Sequence, residues 1–247
     1  MNRAPITTMV LNSTIVEYDI RSANTSIMEY YGLIPQQQID AINKYPKEKR
    51  EVAVGLMTQK DKELSKALEK GFTDIMLMFL ERNNLDIDLD ILCINKDAAF
   101  VINKTPKETV FGPVEFRPKG RYHTFFKIGS FDFFINDYKV DVKGLQKQAH
   151  LHKDGILHLI KDLAETCNAC AGNREEIFKY LSDLAESYKR KELDFEYYRE
   201  FNSISKFKVI IEGQEYAFED ISEEDIEELD ISYNYINIIL PLIRLFI

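Results

Sequence analysis

Asp19 closes a short apolar run, Thr14-Ile-Val-Glu-Tyr-Asp19, and is followed after Ile20 by the small polar turn Arg21-Ser22-Ala23-Asn24-Thr25-Ser26. The run alternates, so as a strand it carries Val16 and Tyr18 on one face and Ile15, Glu17 and Asp19 on the other. A carboxylate at a strand's end is placed to hold a divalent cation against a phosphate. Small polar residues after it leave backbone N–H groups open to that phosphate. A second carboxylate, Asp97, lies in a hairpin signal: the apolar runs 90–95 and 98–103 flank the pair Lys96-Asp97, as a two-residue turn requires. If the three strands share one sheet, both carboxylates converge at its edge. Like charges so placed are best tolerated when divalent cations bridge them. Two Mg2+ ions there would activate a 3′-hydroxyl and stabilise a departing pyrophosphate.

Other groupings compete for the same kind of chemistry. Lys139-Val-Asp141-Val-Lys143-Gly144, with Asp132 or Asp137 upstream, has the acidic-x-Lys spacing that resembles nucleases of the PD-(D/E)xK type. In those enzymes carboxylates hold magnesium and the lysine activates water. Cys167-Asn-Ala-Cys170 has CxxC spacing, but with His158 it supplies three of the four ligands a structural zinc takes, so zinc is not expected. His150 and His152 are two residues apart and point to different faces of a helix. The stretch 117–127 interleaves Arg117, Lys119, Arg121 and Lys127 with aromatics. It suits a nucleic-acid backbone, with Tyr122 stacked on a base, or a hairpin with an aromatic core face. Asp86, Asp88 and Asp90 alternate as the solvated edge of a strand would.

Positioning these groups falls to a chain of 247 residues, 45% hydrophobic and 30% charged, enough to bury one large core or two small ones. The net charge of −9 argues against a surface coated for nucleic acid. Acid is concentrated at 215–230, however, and base at 44–70 and 104–153, which leaves room for a local basic groove. No run of about 18 apolar residues is present, so no membrane span is expected. The absence of a signal-peptide core and the three cysteines lead us to expect a reducing, cytoplasmic setting. The spacing predicts a short helix over 26–31, helices over 37–44 and 47–83 (with Asp61 and Gly71 as interruptions), and then the hairpin. A β-rich stretch over 110–142 follows, then helices over 145–198, short strands near 207–212 and 215–218, and a buried C-terminal helix within 233–247. That order predicts an α+β fold: an antiparallel sheet with a helical insertion at about 36–83 and a mainly helical C-terminal region.

The residues around the two carboxylates resemble those of family B DNA polymerases. Asp19-Ile-Arg-Ser22-Ala-Asn24-Thr-Ser26-Ile27 fits the D-x-x-S-x-x-x-S-I pattern of motif A, with Asn24 and Thr25 where the family has an aromatic and a proline. Asn95-Lys-Asp97-Ala98-Ala-Phe-Val101 is similar to motif C, D-T-D-S leading into a strand. Asp97 matches the second, metal-binding Asp, Asn95 stands in place of the first and Ala98 in place of the serine. Val142-Lys143-Gly144-Leu145 is similar to the Lys-Gly step that leads towards the thumb. The fingers motif has no clean match, and Lys60, Lys62 and Lys66 are the candidates for its phosphate-contacting lysine. The resemblance implies a palm-like domain over 1–145 and a thumb-like region over 146–247. It also implies nucleotidyl transfer with Mg2+ held by Asp19 and Asp97, and a nucleoside triphosphate and a nucleic-acid primer–template as partners. Ser22, Asn24, Lys60, Arg121, Tyr122 and Lys143 would be the substrate contacts. The alternatives are the magnesium-dependent nuclease and a non-catalytic, phage-related binding or structural protein derived from a palm.

Overall fold

The structure is a computed structural model and describes residues 1–129, 131–144, 154–170, 173–194, 198, 208–211, 214–217 and 239–246. The fold is α+β, with helices and antiparallel sheets. The chain divides into two compact units, residues 1–6 with 14–121 and residues 7–13 with 122–247. The division expected near 145 is thus displaced: the units part between Arg121 and Tyr122, within one continuous strand.

In the first unit, β2 (Ile15–Ile20), β3 (Ile91–Asn95), β4 (Ala98–Ile102), β5 (Val110–Phe111) and β6 (Val114–Tyr122) form a five-stranded sheet of order β3-β4-β2-β6-β5, β1 (Met9–Val10) belonging to the second unit. β2 and β4 are antiparallel, with Glu17 opposite Phe100 and Asp19 opposite Ala98. β3 and β4 are the expected hairpin, and their last pair is Asn95 opposite Ala98. Facing residues share a face, so Asp19, Ala98 and Asn95 lie in one row across three strands. The alternation sends Val16, Tyr18 and Ile20 into the core and Glu17 and Asp19 to the other face.

Four helices, α1 (Ala23–Tyr30), α2 (Gln36–Asn43), α3 (Lys47–Lys60) and α4 (Lys62–Arg82), complete this unit. α4 buries Phe72, Ile75, Met76 and Phe79 at helical spacing, and Phe79 stacks on Phe116 of β6 with ring centroids 4.1 Å apart. The helix expected over 47–83 is two helices, because Asp61 leaves the helical conformation and its carboxylate accepts the Leu64 N–H at 3.0 Å. An N-cap of this kind satisfies a donor that the first turn leaves orphaned. Gly71 does not interrupt α4; it lets α1 approach closely. A Cβ there would lie 2.7 Å from Ile27 Cγ2 and 3.1 Å from the Tyr31 ring.

In the second unit, β1, β7 (Thr124–Ile128), β8 (Phe131–Ile135) and β9 (Val140–Lys143) form a four-stranded sheet of order β1-β7-β8-β9, antiparallel throughout. One face carries Phe126, Ile128, Phe131, Phe133, Ile135 and Val140 into a core shared with α5 (Asp154–Ala169), α6 (Arg174–Lys189) and α7 (Leu240–Phe246). β10 (Lys208–Ile211) and β11 (Gln214–Ala217) pair as a separate ribbon. His150, His152 and residues 218–230 of the acidic run lie outside the described residues. Among the described residues no helix is long and apolar enough to cross a membrane.

Candidate functional site

The site is built where β2 ends. The Ile20 N–H donates to the Asp97 carbonyl at 2.9 Å, which ties the residue after Asp19 directly to the hairpin turn. The Arg21 N–H donates to the Glu115 carbonyl of β6, also at 2.9 Å. The chain then reverses through Ser22, whose φ of 48° is left-handed, and enters α1 at Ala23 rather than at Ser26. Short polar side chains hold this reversal. Ser26 Oγ donates to the Arg21 and Ala23 carbonyls, and Thr25 Oγ1 donates to the Ser22 carbonyl at 3.1 Å. These are the local hydrogen bonds that make Ser and Thr effective in turns and helix starts. On the hairpin side Lys96 is also left-handed, with φ 38°, and its ammonium lies 4.6 Å from the centroid of the Phe72 ring.

These elements enclose a cavity of about 300 Å3. Asp19 and Asp97 line it, as does the first turn of α1 from Ser22 to Thr25, where the Ser22 side chain makes no capping hydrogen bond. Six cationic side chains line it too: Arg21 from the turn after β2, Lys47 and Arg50 from α3, Lys96 from the hairpin turn, and Arg117 and Lys119 from β6. They outnumber the three carboxylates, Asp19, Glu51 and Asp97, so this cavity is locally basic in an acidic chain. Arg50 Nη1 donates to Ser22 Oγ at 3.2 Å, linking α3 to the turn after Asp19.

The two carboxylates feel each other. Burial, and then the charge of Asp19, raise the pKa of Asp97 above the usual carboxylate value, against the opposing pull of Lys119 and Lys96. Lys119 Nζ stands 3.5 Å from Asp19 Oδ2 and 3.8 Å from Glu17 Oε1. Glu17 is buried, at 3% exposure, on the same face of β2 as Asp19. Among the described residues no group of three or more His, Cys, Asp or Glu side chains gathers as a metal cage. Two oxygen donors facing a basic cavity fit Mg2+, which takes one or two carboxylates and completes its shell with water and phosphate oxygens.

Of the residues singled out from the sequence, Asp19, Ser22, Asn24 and Asp97 line this one cavity. Lys60 does not line it: it is exposed at the C-terminal end of α3, whereas Lys47 and Arg50 at the opposite end do. Lys62 and Lys66 also lie away from the cavity, and Lys66 pairs with Glu63 at 3.0 Å. Arg121 is exposed near the end of β6, outside the lining, and its charge bears on Tyr18. Tyr122 is corrected from a base-stacking residue to a core residue. It is 5% exposed, its hydroxyl donates to Asp141 Oδ2 at 2.6 Å, and its ring leans on Phe134.

Asp132, Asp141 and Lys143 share one face of β8 and β9, with Asp132 opposite Lys143 and Asp141 opposite Phe134. Each carboxylate is already engaged. Asp132 pairs with Lys127 at 2.8 Å, and Asp141 pairs with Lys139 at 2.7 Å while accepting from Tyr122. Asp137 is exposed beside His123. Cys167 is buried, and burial pushes its thiol up to about 12, far from a thiolate ligand. His158 is exposed.

Sequence reasoning missed Glu17 and Lys119 as a pair, and Lys47 and Arg50 as cavity cations. The first pair had a signal in the alternation that sets Glu17 beside Asp19. The second had one in Pro46, which starts α3 and leaves Lys47 and Arg50 three residues apart on one helix face.

A search of curated proteins finds no match. Among solved structures the chain is similar to the family B DNA polymerase from the hyperthermophilic archaeon Pyrobaculum calidifontis, with a TM-score of 0.49 and 12% identity over 100% of this chain and 46% of that one. The chain therefore spans less than half the length of that polymerase. The family model described as Bacteriophage PBS1 gene 130 protein matches residues 4–247, and the chain belongs to that family.

Proposed function

We propose that the first unit is a palm-like nucleotidyltransferase module that takes a nucleoside triphosphate and the 3′ end of a nucleic acid. The observation that carries this reading is the convergence of Asp19, on β2, and Asp97, in the turn of the neighbouring β3–β4 hairpin, on a cavity with a cationic lining. In this reading the triphosphate lies against the first turn of α1, where backbone N–H groups and the helix dipole favour anions. Arg50, steadied by Ser22, and Lys47 neutralise its outer phosphates. Asp19 and Asp97 would hold Mg2+, which would supply Lewis-acid polarisation of the phosphate and of the attacking hydroxyl. The motif A resemblance at residues 19–27 supports the same assignment.

The test is primer extension on DNA and RNA templates with dNTPs or NTPs and Mg2+. Product that disappears in Asp19→Ala and in Asp97→Ala supports the proposal. Triphosphate binding without extension would instead leave a non-catalytic binding module. That second reading is favoured by Asn95 and Ala98, which stand in the row of Asp19 in place of an acid and a hydroxyl. Neither binding nor extension would remove both.

A further inference from the structure

We infer that Lys119 is a tethered counter-ion for the candidate metal site: it occupies Asp19 while no divalent cation is bound, and passes to Glu17 alone when one arrives. The inference rests on the reading that Asp19 and Asp97 hold a divalent cation, and it concerns how that site is kept ready. Its basis is the geometry of three side chains. Lys119 Nζ is shared between Asp19 Oδ2 at 3.5 Å and Glu17 Oε1 at 3.8 Å. The two carboxylates are two residues apart on one face of β2, so a small swing of the ammonium moves it from one to the other.

Burial makes the arrangement asymmetric. The Glu17 side chain is 5% exposed and that of Asp19 is 26% exposed. Drawing a cation away from the more deeply buried carboxylate costs more than drawing it from the one that opens to solvent, so Lys119 stays with Glu17 in either state. Asp19 opens onto the cavity and is the partner that can be given up. Lys119 is itself 56% exposed, which leaves its stem room to pivot. In the exchange the Asp19–Lys119 ion pair breaks, the Asp19–cation contact forms, and the Glu17–Lys119 pair persists. Before a cation binds, Lys119 thus offsets the charge of Asp19. Lys96, whose ammonium sits over Phe72, lines the same cavity without a contact to Asp19 among the ion pairs found there.

Binding of Mn2+ alone to the full chain, followed by its electron-paramagnetic-resonance signal and by calorimetry, tests the exchange. Lys119→Met should tighten Mn2+ binding about fivefold or more, the equivalent of removing one competing charge pair. Lys96→Met, which takes one positive charge from the same cavity, should tighten it less. The double variant Glu17→Gln/Lys119→Met removes both charges of that pair and guards against misfolding; it should still bind Mn2+ more tightly than wild type. Asp19→Asn should lose the site in every background. If Lys119→Met binds no more tightly than Lys96→Met, the exchange is overturned while Asp19 and Asp97 remain the metal site. If neither wild type nor Lys119→Met binds Mn2+, the exchange and the metal reading fall together.

Discussion

The two units use the same residue types to opposite ends. In the first, Asp19 and Asp97 meet at the edge of a cavity, and burial and mutual repulsion raise the Asp97 pKa. In the second, Asp141 is half-buried, and that burial pulls its pKa upward. There, hydrogen bonds from Lys139 and Tyr122 outweigh burial and hold the carboxyl below its usual range. Acidic residues beside lysines in a strand pattern therefore carry no message by themselves. What separates a carboxylate with a raised pKa from one with a lowered pKa is whether it has its own donors or must share space with another carboxylate.

The largest effect that would break this contrast is on catalysis. Asp19→Ala or Asp97→Ala should lower primer extension at least about a hundredfold, on the scale seen when one charge-stabilising group leaves an active site. Asp132→Asn and Asp141→Asn should leave extension near wild type. Extension that dies in the second pair and survives in the first would reverse the assignment of the two units.

Next in size is a loss of stability in the second unit. Asp141→Ala removes an acceptor of the Tyr122 hydroxyl and should cost about 1–2 kcal/mol by urea unfolding. Because Asp141 titrates below its unfolded value, its stabilisation is present above the unfolded carboxylate pKa of about 3.9 and is lost as pH falls through the folded value. The gap between wild type and Asp141→Ala should therefore narrow in acid.

The first unit should behave in the opposite sense. Asp97→Asn removes a strained charge and should stabilise the chain by about 0.5–1 kcal/mol at neutral pH, even as activity is lost. A raised folded pKa contributes stability that is complete below about pH 3.9 and lost as pH rises through the folded value. The gain from Asp97→Asn should grow across that window and then level off. Smallest of all, Lys139→Met should cost less than about 1 kcal/mol, since its side chain is 57% exposed and Asp141 keeps Tyr122.

The elements that carry Asp19 and Asp97 were legible in the sequence because their signals are local. Strand alternation around Val16 and Tyr18 and a two-residue turn at Lys96-Asp97 each need only a few neighbours to be read. The cation set was not legible in the same way. Arg50 reaches Ser22 across 28 residues of chain, and that meeting depends on how α3 packs, not on spacing. Lys119 was seen only as part of a basic stretch, since its partnership with Glu17 and Asp19 is set by how β6 lies beside β2. Tyr122 failed as a base-stacking residue because an aromatic in a strand can face core or solvent, and its partner Asp141 lies 19 residues away.

Gly71 gives the site a vulnerability of another kind. It touches neither carboxylate, yet any side chain there must push Ile27 and Tyr31, and with them the helix that begins at the Ser22 turn. In a scan of all single substitutions scored by activity, position 71 should therefore tolerate change about as poorly as the carboxylates. The gene would be constrained as tightly by a missing atom as by a charged one.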